Sequence, residues 1–217
     1  MRRPLVLASA SPRRRELLAS LGCDFTVAPT AIDEEVVAGG AAPLDAALVV
    51  ARAKAAAGRT ARPDAVVLAA DTVVVLDDRL LGKPVDVADA RRMLGALRDR
   101  THQVITGLCV VSPQGGGEDV VVTAVRMRAW TEAEVTGYLA SGAPLDKAGA
   151  YGIQDEPFRP VASFVGCHCN VVGLPLWTTH RLLESAGVHP LRPPDVTRSL
   201  CAACPLRVPG APSAPAG

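Results

Sequence analysis

Apolar and polar residues follow two alternating patterns from Leu5 to about Val188. Short runs rich in Val, Leu and Ala are typical of buried strands, and an apolar residue at every third or fourth position is typical of a helix. The predicted strands cover residues 5–8, 65–76, 103–111, 119–128 and 161–165, with a further extended segment at 169–172. The predicted helices cover residues 12–21, 46–57, 87–97 and 174–185, with a short one after Thr131. Interleaved strands and helices predict a three-layer α/β fold, and the glycines at 115–117 predict a hairpin that makes the central β-sheet mixed.

Beyond residue 188 this pattern ends. Residues 189–217 are rich in Pro, Ala and Arg without periodicity, which predicts a disordered tail after a folded domain at 1–188. Of the 217 residues in the chain, 49% are hydrophobic, so we expect a packed core. No stretch approaches the roughly 18 apolar residues of a membrane span, and the first apolar run is too short for a signal peptide. We therefore expect a cytoplasmic protein without a membrane partner.

Charge is almost balanced, with 23 Lys and Arg against 22 Asp and Glu and a net charge of +1 at pH 7. Because binding to nucleic acid phosphates usually requires a basic excess, we expect no nucleic acid partner. Basic residues are nevertheless concentrated at 13–15, in the first turn of the helix that Ser11 and Pro12 begin. The helix dipole disfavours each cation there by roughly 0.3–1 kcal/mol. This turn indicates either an anion site of the kind that binds phosphate or a solvated basic turn.

Asp71 is a lone carboxylate inside the apolar strand predicted at 65–76. Burying it is costly without a partner, which is usually a metal or a cation. We therefore favour a metal ligand or proton acceptor over the alternative, a strand-end residue that caps a loop. Glu34 could add an oxygen ligand for Mg²⁺ or Mn²⁺, and Lys54 and Lys83 could reach a phosphate, although each by itself is typical of an ordinary surface charge.

The segment Asp146–Gln154 combines two glycines with small residues. Such a segment is typical of a tight loop in which the backbone approaches a ligand, or simply of a tight connection. The Gln154 amide offers both a donor and an acceptor, which suits the edge of a nucleic acid base.

Together these segments resemble the Maf family. The matching motifs, in the family's order, are Ser-x-Ser-Pro-Arg-Arg at 9–14, Ala-Asp-Thr at 70–72, Gly-Lys-Pro at 82–84, Thr-Gly at 106–107, Asp-Lys-Ala-Gly-Ala-Tyr-Gly-Ile-Gln at 146–154 and Val-Val-Gly-Leu-Pro at 171–175. The resemblance implies a two-lobed fold of the inosine-triphosphatase-like kind with a nucleotide cleft. It also implies a homodimeric nucleoside triphosphate pyrophosphatase that depends on Mg²⁺ or Mn²⁺ and hydrolyses the α–β phosphoanhydride in a house-cleaning role.

The same resemblance implies a role for each matching side chain. Asp71 would be the general base or the carboxylate that organises the metal, and Glu34 would help to place the metal. The residues that would bind the triphosphate are Ser9, Arg13, Arg14, Lys54 and Lys83. Arg13, Thr72 and Gln154 match the subgroup that hydrolyses dTTP and UTP, whether unmodified or modified. A neutral Gln suits a pyrimidine edge, whereas the positively charged base of 7-methyl-GTP favours a carboxylate.

Two features leave alternatives open. Residues 155–160 and 167–170 depart from the usual family pattern, which leaves the shape of the base pocket open, so another nucleotide such as 7-methyl-GTP is one alternative. The family's link to septum formation makes a nucleotide-binding regulator of cell division another. Cys201–Cys204 has the CxxC spacing of zinc or thiol-exchange sites, and Cys167 and Cys169 lie close together. Because the CxxC lies in the predicted tail and the other pair is so closely spaced, reduced cysteines without a metal are favoured. Cys23 and Cys109 are predicted to be small buried hydrophobic residues.

Overall fold

A computed structural model describes residues 3–207, and its central element is a mixed sheet of seven strands. The strands are β1 (Leu5–Leu7), β2 (Phe25–Val27), β3 (Val66–Leu76), β4 (Arg79–Leu81), β5 (Thr101–Ser112), β6 (Gly115–Met127) and β7 (Val161–Val165). Their order is β2-β1-β3-β5-β6-β7, and β4 pairs with β3 off this path. Strand β1 runs parallel to β2 and β3, and the other pairings are antiparallel. The predicted α/β class with a mixed sheet is therefore confirmed, including the β5–β6 hairpin.

Helices flank this sheet, and several of them begin after a residue whose side chain caps the helix. They are α1 (Pro12–Ser20), α2 (Glu34–Ala38), α3 (Pro43–Ala61), α4 (Val87–Leu97), α5 (Glu132–Ala140), α6 (His168–Val172), α7 (Leu176–Ser185), α8 (Pro194–Thr197) and α9 (Ser199–Ala202). Ser11 caps α1, and Thr131 and Glu134 form a reciprocal capping box at α5. None of the helices within residues 3–207 is both long and apolar enough to cross a membrane.

The buried apolar residues form separate clusters, and β3 is long enough to contribute to more than one of them. One cluster includes Leu17 and Leu68 under α1 and α7, and another includes Leu94 and Trp130 under α4 and α5. Helix α3 packs so closely on the sheet that a Cβ on Gly107 would lie 2.4 Å from the backbone nitrogen of Leu48. Because only glycine permits this approach, Gly107 on β5 allows α3 to lie against the middle of the sheet.

The segment at residues 169–172 was predicted to be extended, and this prediction is wrong. It lies in α6, which ends at Gly173 with a φ of 120°. The Val171–Val172 pair favours a strand locally, but a short apolar run does not by itself distinguish a strand from a buried helical turn. Tertiary packing decides the outcome, since Cys169, Asn170 and Val172 are buried against the sheet.

The expectation of a disordered tail from residue 189 is also wrong for residues 189–207. Two short helices, α8 and α9, lie in this segment, which packs against the body of the protein. The amide of Arg192 donates to the carbonyl of Leu21 at 3.1 Å, and Trp177 Nε1 donates to the carbonyl of Cys201 at 2.9 Å. The composition of residues 189–207 is typical of a disordered segment. The contacts that order it come from residues that are distant in the sequence. The remainder of the predicted tail, residues 208–217, lies outside the described residues.

Four buried cysteines lie where that segment meets the core: Cys167, Cys169, Cys201 and Cys204. Burial and the neighbouring Cys204 raise the pKa of the Cys167 thiol to about 12. The hydrogen bond from Cys169 lowers the pKa of Cys201 against the effect of burial, and the charge of Arg198 contributes to the lowering. Cys109 is buried as predicted, whereas Cys23 is only partly buried.

Candidate active site

A cavity of about 350 Å³ opens beside the midpoint of β3. Its walls come from the β1–α1 junction, α2, α3, β3, the segment after β4, the loop at 146–154 and the C-terminal end of α6. All the residues predicted for the site line this cavity: Ser9, Arg13, Arg14, Glu34, Lys54, Asp71, Thr72, Lys83 and Gln154. The fold therefore brings together side chains that are distant in the sequence.

Asp71 and Lys54 form a buried ion pair at the base of the cavity. Lys54 Nζ lies 2.7 Å from Asp71 Oδ1. Asp71 is 7% exposed and Lys54 is 5% exposed. The sequence predicted a metal or a cation as the partner of Asp71, and in the structure the partner is this lysine. Lys54 was predicted to reach a phosphate, but its ammonium already joins two carboxylates, since Glu34 Oε1 lies 2.6 Å away.

Glu34 lies at the edge of the same group and is half exposed. Burial opposes its ionisation, but the hydrogen bond and charge of Lys54, together with Lys83 and Arg14, hold its pKa below the ordinary value. The site therefore keeps this carboxylate ionised. Helix α2 begins at Glu34 because Asp33 caps it by accepting a hydrogen bond from the Val36 amide at 3.1 Å.

Arg14 is held by three neutral acceptors around its guanidinium. Nε donates to the carbonyl of Gly173 at 2.9 Å, Nη1 to Ser9 Oγ at 3.2 Å and Nη2 to Thr72 Oγ1 at 3.0 Å. Burial lowers the pKa of Arg14, opposed by the charges of Asp71 and Glu34. Because these contacts come from the β1–α1 junction, β3 and α6, the arginine is fixed in one orientation towards the cavity.

Thr72 contacts protein groups through its hydroxyl. Besides accepting from Arg14, Thr72 Oγ1 lies 2.9 Å from Thr106 Oγ1, which donates to the carbonyl of Asn170 at 3.1 Å. This chain of hydrogen bonds joins the middle of the sheet to α6. Thr106 was quoted in a family motif but received no role, because its importance lies in a contact between strands that sequence spacing does not reveal.

The first turn of α1 also supplies Arg13 to the cavity wall. Ser11 Oγ accepts from the Arg14 amide at 3.4 Å, and Pro12 begins the helix. Arg13 is partly exposed and its Nη1 lies 3.0 Å from Asp146 Oδ2. The predicted basic turn is therefore at a cavity wall rather than on an open surface, which favours the anion-site interpretation.

The loop at 146–154 forms the opposite wall. Gln154 is exposed at the cavity, whereas Tyr151 is buried and its hydroxyl lies 2.6 Å from His102 Nε2. Lys147 Nζ lies 3.4 Å from Asp155 Oδ2, and Asp155 also accepts from Tyr138 and from the Gly152 amide. Sequence reasoning gave no role to Tyr151 or Lys147, although both lie within the quoted motif. Asp155 was treated only as a departure from the family pattern.

The residues present are compatible with a divalent cation. Within residues 3–207, no group of three or more His, Cys, Asp or Glu side chains is arranged to hold a metal ion. Mg²⁺ commonly binds one or two carboxylates and completes its shell with waters and substrate phosphates. Lys54 contacts one oxygen of Glu34 and one of Asp71, so the second oxygen of each carboxylate remains as a donor. This donor set fits a cation that arrives with a phosphate ligand.

The fold and the cavity define an α/β protein with a mixed-sign pocket for a phosphate-bearing ligand. More specifically, the chain belongs to the Maf-like protein family, whose model matches residues 4–186. It is 48% identical over 204 residues to the dTTP/UTP pyrophosphatase of Thermomicrobium roseum, with 93% of each chain covered. It is 52% identical over 189 residues to the dTTP/UTP pyrophosphatase of Moorella thermoacetica, covering 85% of this chain and 95% of the relative. Among solved structures, the HAM1 protein from Coxiella burnetii matches with 17% identity and a TM-score of 0.41, covering 59% of this chain and 75% of that one.

Proposed function

We propose that this chain is a nucleoside triphosphate pyrophosphatase that hydrolyses dTTP and UTP, unmodified or modified, to the monophosphate and pyrophosphate. The observation that carries the proposal is the convergence of Arg14, Lys54, Glu34 and Asp71 on one cavity that Gln154 also lines. Relatives named dTTP/UTP pyrophosphatase that are 48% and 52% identical support the same activity.

The triphosphate binds at the β1–α1 end of the cavity. Arg13, Arg14 and Lys83 supply positive charge there, and Ser9 and the first turn of α1 add hydroxyl and amide donors. Arg14 contributes most to geometry, because its three contacts with the protein fix the plane of its guanidinium before the ligand arrives. The family resemblance assigns these residues to the phosphates as well.

Glu34 and Asp71 would hold a divalent cation, Mg²⁺ or Mn²⁺. When bound, such a cation neutralises phosphate charge and makes a nearby water more acidic. Lys54 holds the two carboxylates together in its absence, since its ammonium lies 2.6 Å from Glu34 and 2.7 Å from Asp71. The cavity therefore has the pair of carboxylates in place before substrate enters.

Asp71 accepts the proton of the attacking water. The oxygen of that water forms a bond to one of the two phosphorus atoms of the α–β bridge, and the bond from this phosphorus to the bridging oxygen breaks. The leaving phosphate oxygen is stabilised by the arginine and lysine cations. Asp71 suits this role because the backbone of β3 and the ion pair to Lys54 hold its carboxylate rigidly.

Gln154 reads the pyrimidine. Its neutral amide offers one donor and one acceptor, as the edge of uracil or thymine requires, and it lines the same cavity as Arg14. The proposal extends to a homodimer in the cytoplasm, and the family resemblance supports the homodimer.

A nucleotide panel tests the proposal. Pyrophosphate release is measured for dTTP, UTP, CTP, dATP, GTP and 7-methyl-GTP with Mg²⁺ or Mn²⁺, using wild type, Asp71→Asn and the control Asp119→Asn. Asp119 lies on β6, pairs with Arg181 of α7 and does not line the cavity. We expect dTTP and UTP to be the best substrates, Asp71→Asn to lower kcat by about 100-fold or more, and Asp119→Asn to match wild type. Preference for 7-methyl-GTP would overturn the substrate assignment, and tight binding without hydrolysis would favour a nucleotide-binding regulator.

A further inference from the structure

Four of the six cysteines of the chain meet at one place on the side of the sheet that carries α1 and α7. Cys167 and Cys169 come from the start of α6, whereas Cys201 and Cys204 come from α9 and the turn that follows it. The exposed fractions of Cys167, Cys169, Cys201 and Cys204 are 2%, 1%, 2% and 7%, and none of the four forms a disulfide. The active-site cavity uses none of these thiols.

The two cysteine pairs face each other across the contact between α6 and the C-terminal segment. Cys169 Sγ and Cys201 Sγ are 3.5 Å apart. Cys204 lies near enough to Cys167 that, together with burial, it raises the pKa of that thiol. Each pair lies on a tight turn, since the Asn170 amide donates to the carbonyl of Cys167 at 3.1 Å and the Cys204 amide donates to the carbonyl of Cys201 at 3.3 Å.

Cysteines make up most of the buried part of residues 189–207. The buried residues of this segment are Pro194, Cys201 and Cys204. Leu191, Val196 and Leu200 are exposed, and Leu206 is partly buried against the core. A segment with so little apolar burial gains little from the hydrophobic effect. Short segments that lack a core are commonly ordered by a metal or a disulfide instead.

We propose that Cys167, Cys169, Cys201 and Cys204 form a structural Zn²⁺ site that fastens residues 189–207 to α6. Four thiolates are a preferred donor set for Zn²⁺, and a tetrahedral site with Zn–S bonds of about 2.3 Å separates its sulfurs by about 3.8 Å. The Cys169–Cys201 separation of 3.5 Å is close to that value. Binding releases the four thiol protons as the four Zn–S bonds form.

In the structure the four cysteine sulfurs do not surround a common centre. Within residues 3–207, no group of three or more His, Cys, Asp or Glu side chains is placed so that it could hold a metal ion. Coordination therefore requires side-chain rotation about Cα–Cβ bonds, which backbone turns of this kind permit. Two buried nitrogen atoms beside the cysteines, His168 Nδ1 and Arg198 Nε, have no hydrogen-bond partner in the described part of the chain. Thiolate sulfurs would provide acceptors, and the charge of Arg198 would offset that of the site.

Metal content of the full chain tests the site. The protein is purified under reducing conditions without chelator, and zinc is measured by mass spectrometry in wild type, in Cys201→Ser/Cys204→Ser and in the control Cys23→Ser/Cys109→Ser. We expect about one zinc per chain in wild type and in the control, and background in the first double variant. Zinc at background in wild type would overturn the proposal.

Two measurements on wild type keep the test independent of how the variants fold. After the metal is removed with a chelator, added Co²⁺ should give the absorption bands of tetrahedral thiolate coordination, and proteolysis within residues 189–207 should be faster without metal than with it. A peptide map under non-reducing conditions that shows a Cys169–Cys201 disulfide, with no Co²⁺ bands after reduction, would overturn the metal site in favour of thiol chemistry.

Discussion

Lys54 donates a 2.7 Å hydrogen bond to Asp71 in the middle of the sheet, and both side chains are almost closed to solvent. The pair is possible because α3 packs directly on β5 at Gly107, the residue that pairs with Asp71. A carboxylate placed inside an apolar strand is thus compensated by a cation from a helix. The consequence is that folding and the proposed chemistry depend on the same two groups.

Lys54→Met should destabilise the protein by about 3–5 kcal/mol, because it leaves a buried carboxylate without its cation. Urea unfolding at neutral pH measures the change. Arg52→Met is the matched control on α3, since Arg52 forms an exposed ion pair with Glu118, and it should alter stability little. Adding Asp71→Asn to Lys54→Met should recover most of the loss. If Lys54→Met and Arg52→Met lower the stability equally, burial of the Lys54–Asp71 pair does not explain the loss.

Glu34→Gln should remove part of the pH dependence of stability. The pKa of Glu34 in the folded protein lies below 4.5 because Lys54, Lys83 and Arg14 outweigh the effect of burial. The unfolded chain therefore binds the proton more readily, so this stabilisation is complete above about pH 4.5 and is lost as the pH falls through the lowered pKa. The variant should be less stable than wild type at neutral pH, with a difference that vanishes in acid.

Thermal unfolding of wild type and Glu34→Gln between roughly pH 3 and 7 checks this prediction. Glu35→Gln provides the control, since Glu35 is an exposed neighbour in α2, and its unfolding curve should follow wild type. A constant difference between wild type and Glu34→Gln across the range would show that Glu34 does not carry the ion-pair effect.

Thr72→Val should weaken substrate binding by releasing Arg14. The Thr72 hydroxyl accepts from Arg14 Nη2 at 3.0 Å, and a hydrogen bond to a charged group contributes about 1.5–3 kcal/mol. We therefore expect KM for the nucleoside triphosphate to rise about tenfold or more, with a smaller change in kcat. Thr72→Ser keeps the hydroxyl and should restore KM. If Thr72→Ser is as impaired as Thr72→Val, the methyl group rather than the hydrogen bond matters.

Much of the fold could be predicted because its signals are local. Ser11 with Pro12 begins α1 and Thr131 with Glu134 begins α5, as their capping residues indicate. Residues 169–172 and 189–207 were wrongly predicted because their structure depends on contacts with distant segments. Cys201, for example, is placed by Trp177 and Cys169, and no pattern near Cys201 reveals either partner.

The sequence predicted which residues form the candidate site, but not which of them contact one another. Family motifs and the apolar surroundings of Asp71 identified the side chains that line the cavity. The pairing of Lys54 with both Asp71 and Glu34, and the support of Arg14 by the carbonyl of Gly173, join residues far apart in the chain. Such pairings follow from strand register and helix packing, which the sequence pattern leaves undetermined.

Gln154→Glu should reduce discrimination in favour of pyrimidines. The carboxylate lacks the amide donor and carries a charge that neutral uracil and thymine do not match, so one hydrogen bond worth about 0.5–1.5 kcal/mol is lost. This corresponds to a roughly threefold to tenfold lower kcat/KM for dTTP and UTP. A positively charged base should gain from the same change, so the ratio of 7-methyl-GTP to UTP turnover should rise.

Steady-state kinetics with UTP, dTTP and 7-methyl-GTP measure this shift in preference. Gln114→Glu is the matched control, because it introduces the same charge at a residue that lies in the β5–β6 turn and does not line the cavity. It should leave all three values of kcat/KM at the wild-type level. If Gln154→Glu lowers kcat/KM equally for the three nucleotides, the amide supports the loop rather than reading the base, and base selection then belongs to other residues of the 146–154 wall.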